Sequence, residues 1–186
     1  CRAALAARQA QDARRAAVSG QFADAFIGLG SNLDGPVDQL QRAFGELHRL
    51  PQTRLVNRSP LYRSPALGPA GQPDYVNAVA ELSCTIGPHA LLDALQAIEN
   101  AHGRRRGPVR WTPRTLDLDL LVYGEQQIDS GRLVVPHPQM HRRAFVLVPL
   151  HDIAPELYLP GLGTLGQCLR RIDGDPLTPI AAGVDA

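Results

Sequence analysis

From Tyr75 to Ile86 apolar and polar residues alternate, and this constrains the fold more than any other stretch of the chain. Val76, Ala78, Ala80, Leu82, Cys84 and Ile86 take one face. Tyr75, Asn77, Val79, Glu81 and Ser83 take the other. Successive side chains of a strand point to opposite sides, so the pattern reads as a half-buried strand. An apolar strand face needs a second layer to cover it. Two helical stretches can do so. Val37, Leu40, Phe44 and Leu47 recur at three and four after Pro36, and Leu91, Leu92, Leu95 and Ile98 follow Pro88. Proline suits a first helical position. Pro51 ends the first helix and Gly103 stops the second.

The remaining elements fall around these. Residues 22–29 read as a first strand that ends in a turn at Gly28-Leu29-Gly30-Ser31-Asn32, and residues 53–63 read as another strand. Residues 64–73 hold three prolines and two glycines and read as a loop, long for a compact domain. Residues 104–113 form a second, basic loop. Thr115 to Tyr123 is a strand with Leu116, Leu118, Leu120 and Val122 on one face. Leu133–Val135 and Phe145–Leu150 are expected as further strands, and Leu165, Cys168, Leu169 and Ile172 as a last helix. The order strand, helix, strand, strand, helix, strand predicts an α+β fold, a ferredoxin-like three-layer sandwich with a mostly antiparallel sheet and helices on both faces. The expected organisation is an extension over 1–20, a catalytic domain over 21–173 and a loose tail over 174–186.

Composition excludes several classes. The 186 residues are 44% hydrophobic and 20% charged with a net charge of +1, ordinary for one globular domain and without a global field for nucleic acid or membrane. Residues 1–20 are rich in Ala, Arg and Gln and lack the apolar core of a secretory signal. Cys1, Cys84 and Cys168 are far apart and form no CxxC pair, which fits a reducing, cytoplasmic location. There is no GxxxxGK[ST] phosphate loop, no HExxH and no GxSxG.

Charge is concentrated in one place. Arg104, Arg105, Arg106, Arg110 and Arg114 crowd a segment that runs directly into Asp117 and Asp119. Two residues apart on a strand, both acids share a face, with Cβ atoms roughly 6–7 Å apart. Alone, such a pair is more often a solvated face than a metal site. Beside it, guanidinium groups that hold phosphate oxygens bidentately make a metal–triphosphate site the better reading. Trp111 can pack in a core or cover an adenine. Gln96 and Glu99 share a helix face and can reach a nucleotide or solvent. His137, in Pro136-His137-Pro138, is a phosphate donor or a surface histidine.

Arg110-Trp111-Thr112-Pro113-Arg114-Thr115-Leu116-Asp117-Leu118-Asp119 resembles the signature of the 6-hydroxymethyl-7,8-dihydropterin pyrophosphokinases. Gly30-Ser31-Asn32-Leu33, Tyr62 to Pro69, Gln72 to Asn77, Val135-Pro136-His137, Arg143-Ala144-Phe145 and Ile153 to Leu157 resemble further segments of that family, over about residues 22–172. The resemblance implies transfer of pyrophosphate from ATP to the pterin hydroxymethyl oxygen, releasing AMP, in folate synthesis. It implies Asp117 and Asp119 as ligands of two Mg²⁺ ions and Arg104 and Arg114 as catalytic arginines. Gln96, Glu99, Arg106, Arg110, Trp111, Arg132, His137 and Arg143 are the implied ATP contacts. Tyr75 and Phe145 are implied to sandwich the pterin, Asn77 to bond its edge, and Ser64, Pro65 and Leu67 to complete the pocket. The expected partners are ATP and the pterin alone, for a monomer with no nucleic acid and no membrane. The rival reading is an RNA-binding module on a ferredoxin-like sheet. A pterin-binding relative without activity is a third.

Overall fold

The structure, a computed structural model, describes residues 22–67, 71–104, 113–172 and 177–181. Arg106, Arg110, Trp111 and the extension over 1–20 lie outside the described residues. The elements run β1 (Ala23–Ser31), α1 (Pro36–Arg49), β2 (Thr53–Arg58), β3 (Leu61–Ser64), β4 (Tyr75–Cys84), α2 (Pro88–Ala101) and β5 (Asp117–Tyr123). Short strands β6 (Ile128–Asp129) and β7 (Val134–Val135) precede a 3₁₀ turn (Met140–Arg142) and α3 (Ala144–Ile153). Strands β8 (Tyr158–Leu159) and β9 (Gly163–Thr164), helix α4 (Leu165–Leu169) and strand β10 (Thr178–Ile180) follow.

The main sheet has the order β10-β3-β4-β1-β5, with β2 also on β4, and its pairings are antiparallel. One face packs Ile27, Leu29, Ala78, Ala80, Leu82 and Leu118 against Leu40, Phe44 and Leu47 of α1 and Leu91 and Leu95 of α2. The other packs Phe26, Val79, Leu121 and Val122 against Val146, Leu147 and Leu150 of α3 and Leu165 and Cys168 of α4. This is the expected three-layer sandwich.

Five local expectations are corrected. Phe145–Leu150 is not a strand but the body of α3. A continuous apolar run has no period to separate strand from helix, and here it covers the second sheet face. For the same reason β4 is buried on both faces rather than half-buried. The strand expected over 53–63 is two strands, because Pro60 has no N–H for the ladder. At the break the Ser59 N–H donates to the Val79 carbonyl at 2.9 Å, and the Val79 N–H donates to Ser59 Oγ at 2.9 Å. In β5 the register slips between Phe26 and Ile27, so Val122 joins Leu121 in the second core instead of following Leu118 and Leu120. Within the expected tail, Thr178–Ile180 pairs with β3.

Candidate active site

The sheet itself makes the floor. The turn expected at Gly28–Asn32 lies further on, since β1 continues through Ser31. Gly28 and Gly30 therefore share one face of the central strand. Gly30 stands between Asn77 of β4 and Asp117 of β5, and Gly28 between Val79 and Asp119. Three adjacent strands thus carry polar groups on either side of a strip of bare backbone. A Cβ on Gly30 would lie 3.6 Å from Asn77 Oδ1, 3.8 Å from the Tyr75 ring and 3.9 Å from Asp117 Cβ. The cavity above has a volume of about 360 Å³, enough for a small ligand.

One wall is charged. Gly103, at φ +75, ends α2: its N–H bonds the Asn100 carbonyl at 3.0 Å and the Arg104 N–H bonds the Glu99 carbonyl at 3.1 Å. This paired closure sends the Arg104 side chain back towards the sheet. Its guanidinium pairs with buried Glu99, and with Asp117 Oδ1 at 2.6 Å. Arg114 Nη1 donates to Asp117 Oδ2 at 2.7 Å, so both oxygens of Asp117 face arginines. Glu99 also accepts the Leu118 N–H at 2.8 Å, which ties α2 to β5. Among the described residues Asp119 has no such close cation. Partial burial at the cavity floor, where the side chain stays 42% exposed, and then the charge of Asp117 push its carboxyl up to about 6 against the pull of Arg143, Arg104 and Arg114. The carbonyl of Leu121, at the β5 irregularity, accepts the His137 N–H at 2.8 Å and brings that ring beside Asp119. His137 Nδ1 accepts the Gln139 N–H at 3.2 Å, so Nε2 carries the hydrogen and lies 4.0 Å from Asp119 Oδ2. Burial, then Arg143, hold the ring down to about 4, so it is neutral at physiological pH.

The opposite wall is apolar and flat-sided. Tyr75 and Phe145 both line the cavity, with Ser64, Pro65 and Leu67 beside them. Asn77 Nδ2 donates to Ser64 Oγ at 2.9 Å, which leaves its Oδ1 turned over Gly30. The Arg143 guanidinium sits 5.7 Å from the Phe145 ring centre.

The model of the 7,8-dihydro-6-hydroxymethylpterin-pyrophosphokinase (HPPK) family matches residues 26–155. The chain belongs to this family. Its relatives include the 2-amino-4-hydroxy-6-hydroxymethyldihydropteridine pyrophosphokinase of Pseudomonas aeruginosa, 58% identical over 73% of this chain and 83% of that one. The enzymes of the same name from Haemophilus influenzae and Synechocystis are 53% identical over 79% and 91%, and 44% identical over 87% and 82%. Among solved structures, wild-type Plasmodium falciparum HPPK-DHPS with pterin and p-hydroxybenzoate superposes with a TM-score of 0.61 at 13% identity, over 81% of this chain and 43% of that one. This chain therefore spans less than half of that protein, and the likeness concerns the fold.

Against the expectations for an HPPK, the cavity gathers Ser64, Pro65, Leu67, Tyr75, Asn77, Arg104, Arg114, Asp117, Asp119, His137, Arg143 and Phe145. Arg132 is not among its lining residues; it is exposed and pairs with Asp93. Gln96 is half-buried on α2 outside the lining, and Glu99 lies behind Arg104 rather than on the surface of the cavity. The sequence reading missed Asn32. Its Nδ2 donates to the Pro73 carbonyl at 3.1 Å, its Oδ1 accepts the Arg114 N–H at 2.8 Å, and its N–H donates to the Arg114 carbonyl at 3.1 Å. One buried amide thus joins the loop before Tyr75 to the strand entry that carries Arg114. The polar pair Ser31-Asn32 after a strand's Gly-x-Gly was the available signal.

Proposed function

We propose that this chain transfers the terminal pyrophosphate of ATP to the hydroxymethyl oxygen of 6-hydroxymethyl-7,8-dihydropterin across the Gly30 floor, with the residues of the two walls in separate roles. The observation that carries this reading is the single cavity in which Tyr75, Asn77 and Phe145 face Arg104, Arg114, Asp117 and Asp119. Two aromatic faces hold a flat heterocycle. The Asn77 amide accepts from its edge while Ser64 fixes the amide's orientation.

The donor set on the charged wall fits Mg²⁺. It is made of hard carboxylate oxygens on one strand face, and Asp119 is held in a state that a cation would relieve. Among the described residues no cluster of three His, Cys, Asp or Glu side chains could hold a metal. Asp117 and Asp119 would hold two Mg²⁺ ions through their carboxylate oxygens. When bound, the ions screen the triphosphate and stabilise charge on its reacting oxygens. Arg104 and Arg114 meet the phosphates from the side of Asp117. Neutral His137 donates Nε2–H to a phosphate oxygen without adding a formal charge. The new bond joins the hydroxymethyl oxygen to the β-phosphorus, and the β-phosphorus–oxygen bond to AMP breaks. Such a transfer asks the chain for alignment and charge stabilisation.

Purified protein given Mg²⁺, ATP and the pterin alcohol should release AMP; release of ADP, or no turnover, would overturn the reading. The same reading makes the protein a monomer and places it in the cytoplasm, the latter supported by the buried free thiols Cys84 and Cys168. Size-exclusion chromatography with light scattering tests the monomer. No helix among the described residues is long and apolar enough to cross a membrane.

A further inference from the structure

Helix α1 presents an unusual buried face to the end of α2. Gln39 and Glu46, two turns apart, both point at the ring of His102, whose side chain is only 4% exposed. Gln39 Nε2 is committed to the Asp34 carbonyl at 3.2 Å, so its Oε1 is the atom that faces His102 Nδ1, at 2.6 Å. Glu46 Oε2 faces His102 Nε2 at 2.7 Å. Both partners are acceptors, so in this arrangement both ring nitrogens carry hydrogen. Glu46 is the acid that faces the ring from α1. On its own helix, Glu99 turns instead to Arg104 and the Leu118 N–H.

His102 caps α2, and the next two residues are Gly103 and Arg104. Its own N–H bonds the Ile98 carbonyl at 3.1 Å. A cationic ring at a helix C-terminus also meets the negative end of the helix dipole. The turn from which Arg104 reaches Asp117 is thus held on one side by Glu99 and on the other by a charged ring pinned to α1.

We propose that His102 is a positioning residue for the pyrophosphoryl transfer: as an imidazolium shared by Gln39 and Glu46, it fixes the turn that aims Arg104 into the cavity. This rests on Arg104 acting on the triphosphate. A ring with only one hydrogen would turn a lone pair to either Gln39 Oε1 or Glu46, and the brace would open on that side. Loss of the brace therefore lowers kcat, while the pterin wall on the far side of Gly30 is untouched.

Two measurements decide it. Imidazole ¹⁵N shifts of the full chain without substrates should show hydrogen on both His102 nitrogens, and Glu46→Gln should leave one of them bare. The kcat of that variant should fall, with KM for the pterin unchanged. His102→Leu should lower kcat about tenfold, the loss of charge-assisted hydrogen bonds at a helix end. If that variant does not fold, Glu46→Gln carries the test alone, since it keeps an acceptor and removes only the charge. A parent ring with one bare nitrogen, or parental kcat in Glu46→Gln, would overturn the proposal. Parental turnover in Arg104→Ala would overturn the reading of Arg104, and the positioning role with it, even if the ring proved doubly protonated.

Discussion

Asp119 sets two demands against each other. Burial and Asp117 raise its carboxyl from 3.8 to about 6, so without a cation the folded chain holds this proton more tightly than the unfolded chain does. A raised value means that the contribution to stability is complete below the unfolded value and is lost as pH rises through about 6. In chelator, thermal melts should therefore show Asp119→Asn gaining on the parent between pH 4 and 7, and Mg²⁺ should restore the parent at pH 7. The same variant should lose AMP release by about a thousandfold or more, the order expected when a group that aligns metal and phosphate is removed. At Gly30 the demand is space. Gly30→Val should leave the strand folded but weaken pterin binding about tenfold or more in a fluorescence titration, since the new methyls enter a floor already bounded by Asn77 and Tyr75. Asp117, Asp119, Tyr75 and Asn77 were legible in the sequence because charge and aromaticity at period two point to one face. Gly28 and Gly30 were not legible as floor, because a residue without a side chain announces only permission.

Among the elements, what joins the loops matters as much as what the loops carry. Asn32→Ala removes two hydrogen bonds that cross between the segments before β4 and β5. The expected cost is about 1–3 kcal/mol of stability, with KM raised for both substrates rather than one; chemical denaturation and steady-state kinetics check the two parts. Tyr62 of β3 donates to Asp152 of α3 at 2.7 Å. Tyr62→Phe should cost about 1 kcal/mol while leaving the charged wall intact. The regular elements were readable: alternation marked β4, and spacing with a proline start marked α1 and α2. The misread ones share a cause, in that their pattern is set by contacts remote in sequence. Phe145–Leu150 is apolar all round because it lies between the sheet and α4, and the slip in β5 answers to the partner strand β1. Neither is written in local period. The slip nevertheless serves the site, because the Leu121 carbonyl it presents is what holds His137.

For the molecule as a whole, the sandwich class was legible in the succession of strand and helix periods, whereas the α3 layer, expected as a strand, and the strand formed by Thr178–Ile180 depend on contacts remote in sequence. Deleting residues 1–20 should leave kcat and both KM values within about twofold, as expected for a terminal segment outside the matched domain; kinetics on the shortened chain test this. The doubly paired Asp117 has a consequence for which nucleotide the enzyme accepts. On the proposed roles, Arg104 and Arg114 turn to a phosphate at the expense of their pairing with a carboxylate that then needs another positive neighbour. A bare triphosphate takes the arginines and offers nothing back, so it meets a toll at the entrance. A triphosphate carrying its own cation makes an even exchange. Calorimetry in chelator should accordingly find free ATP bound at least tenfold more weakly than ATP with Mg²⁺, and Asp117→Asn should narrow that gap by cheapening the arginines' release. The resting ion pairs act as a lock whose key must be nearly neutral.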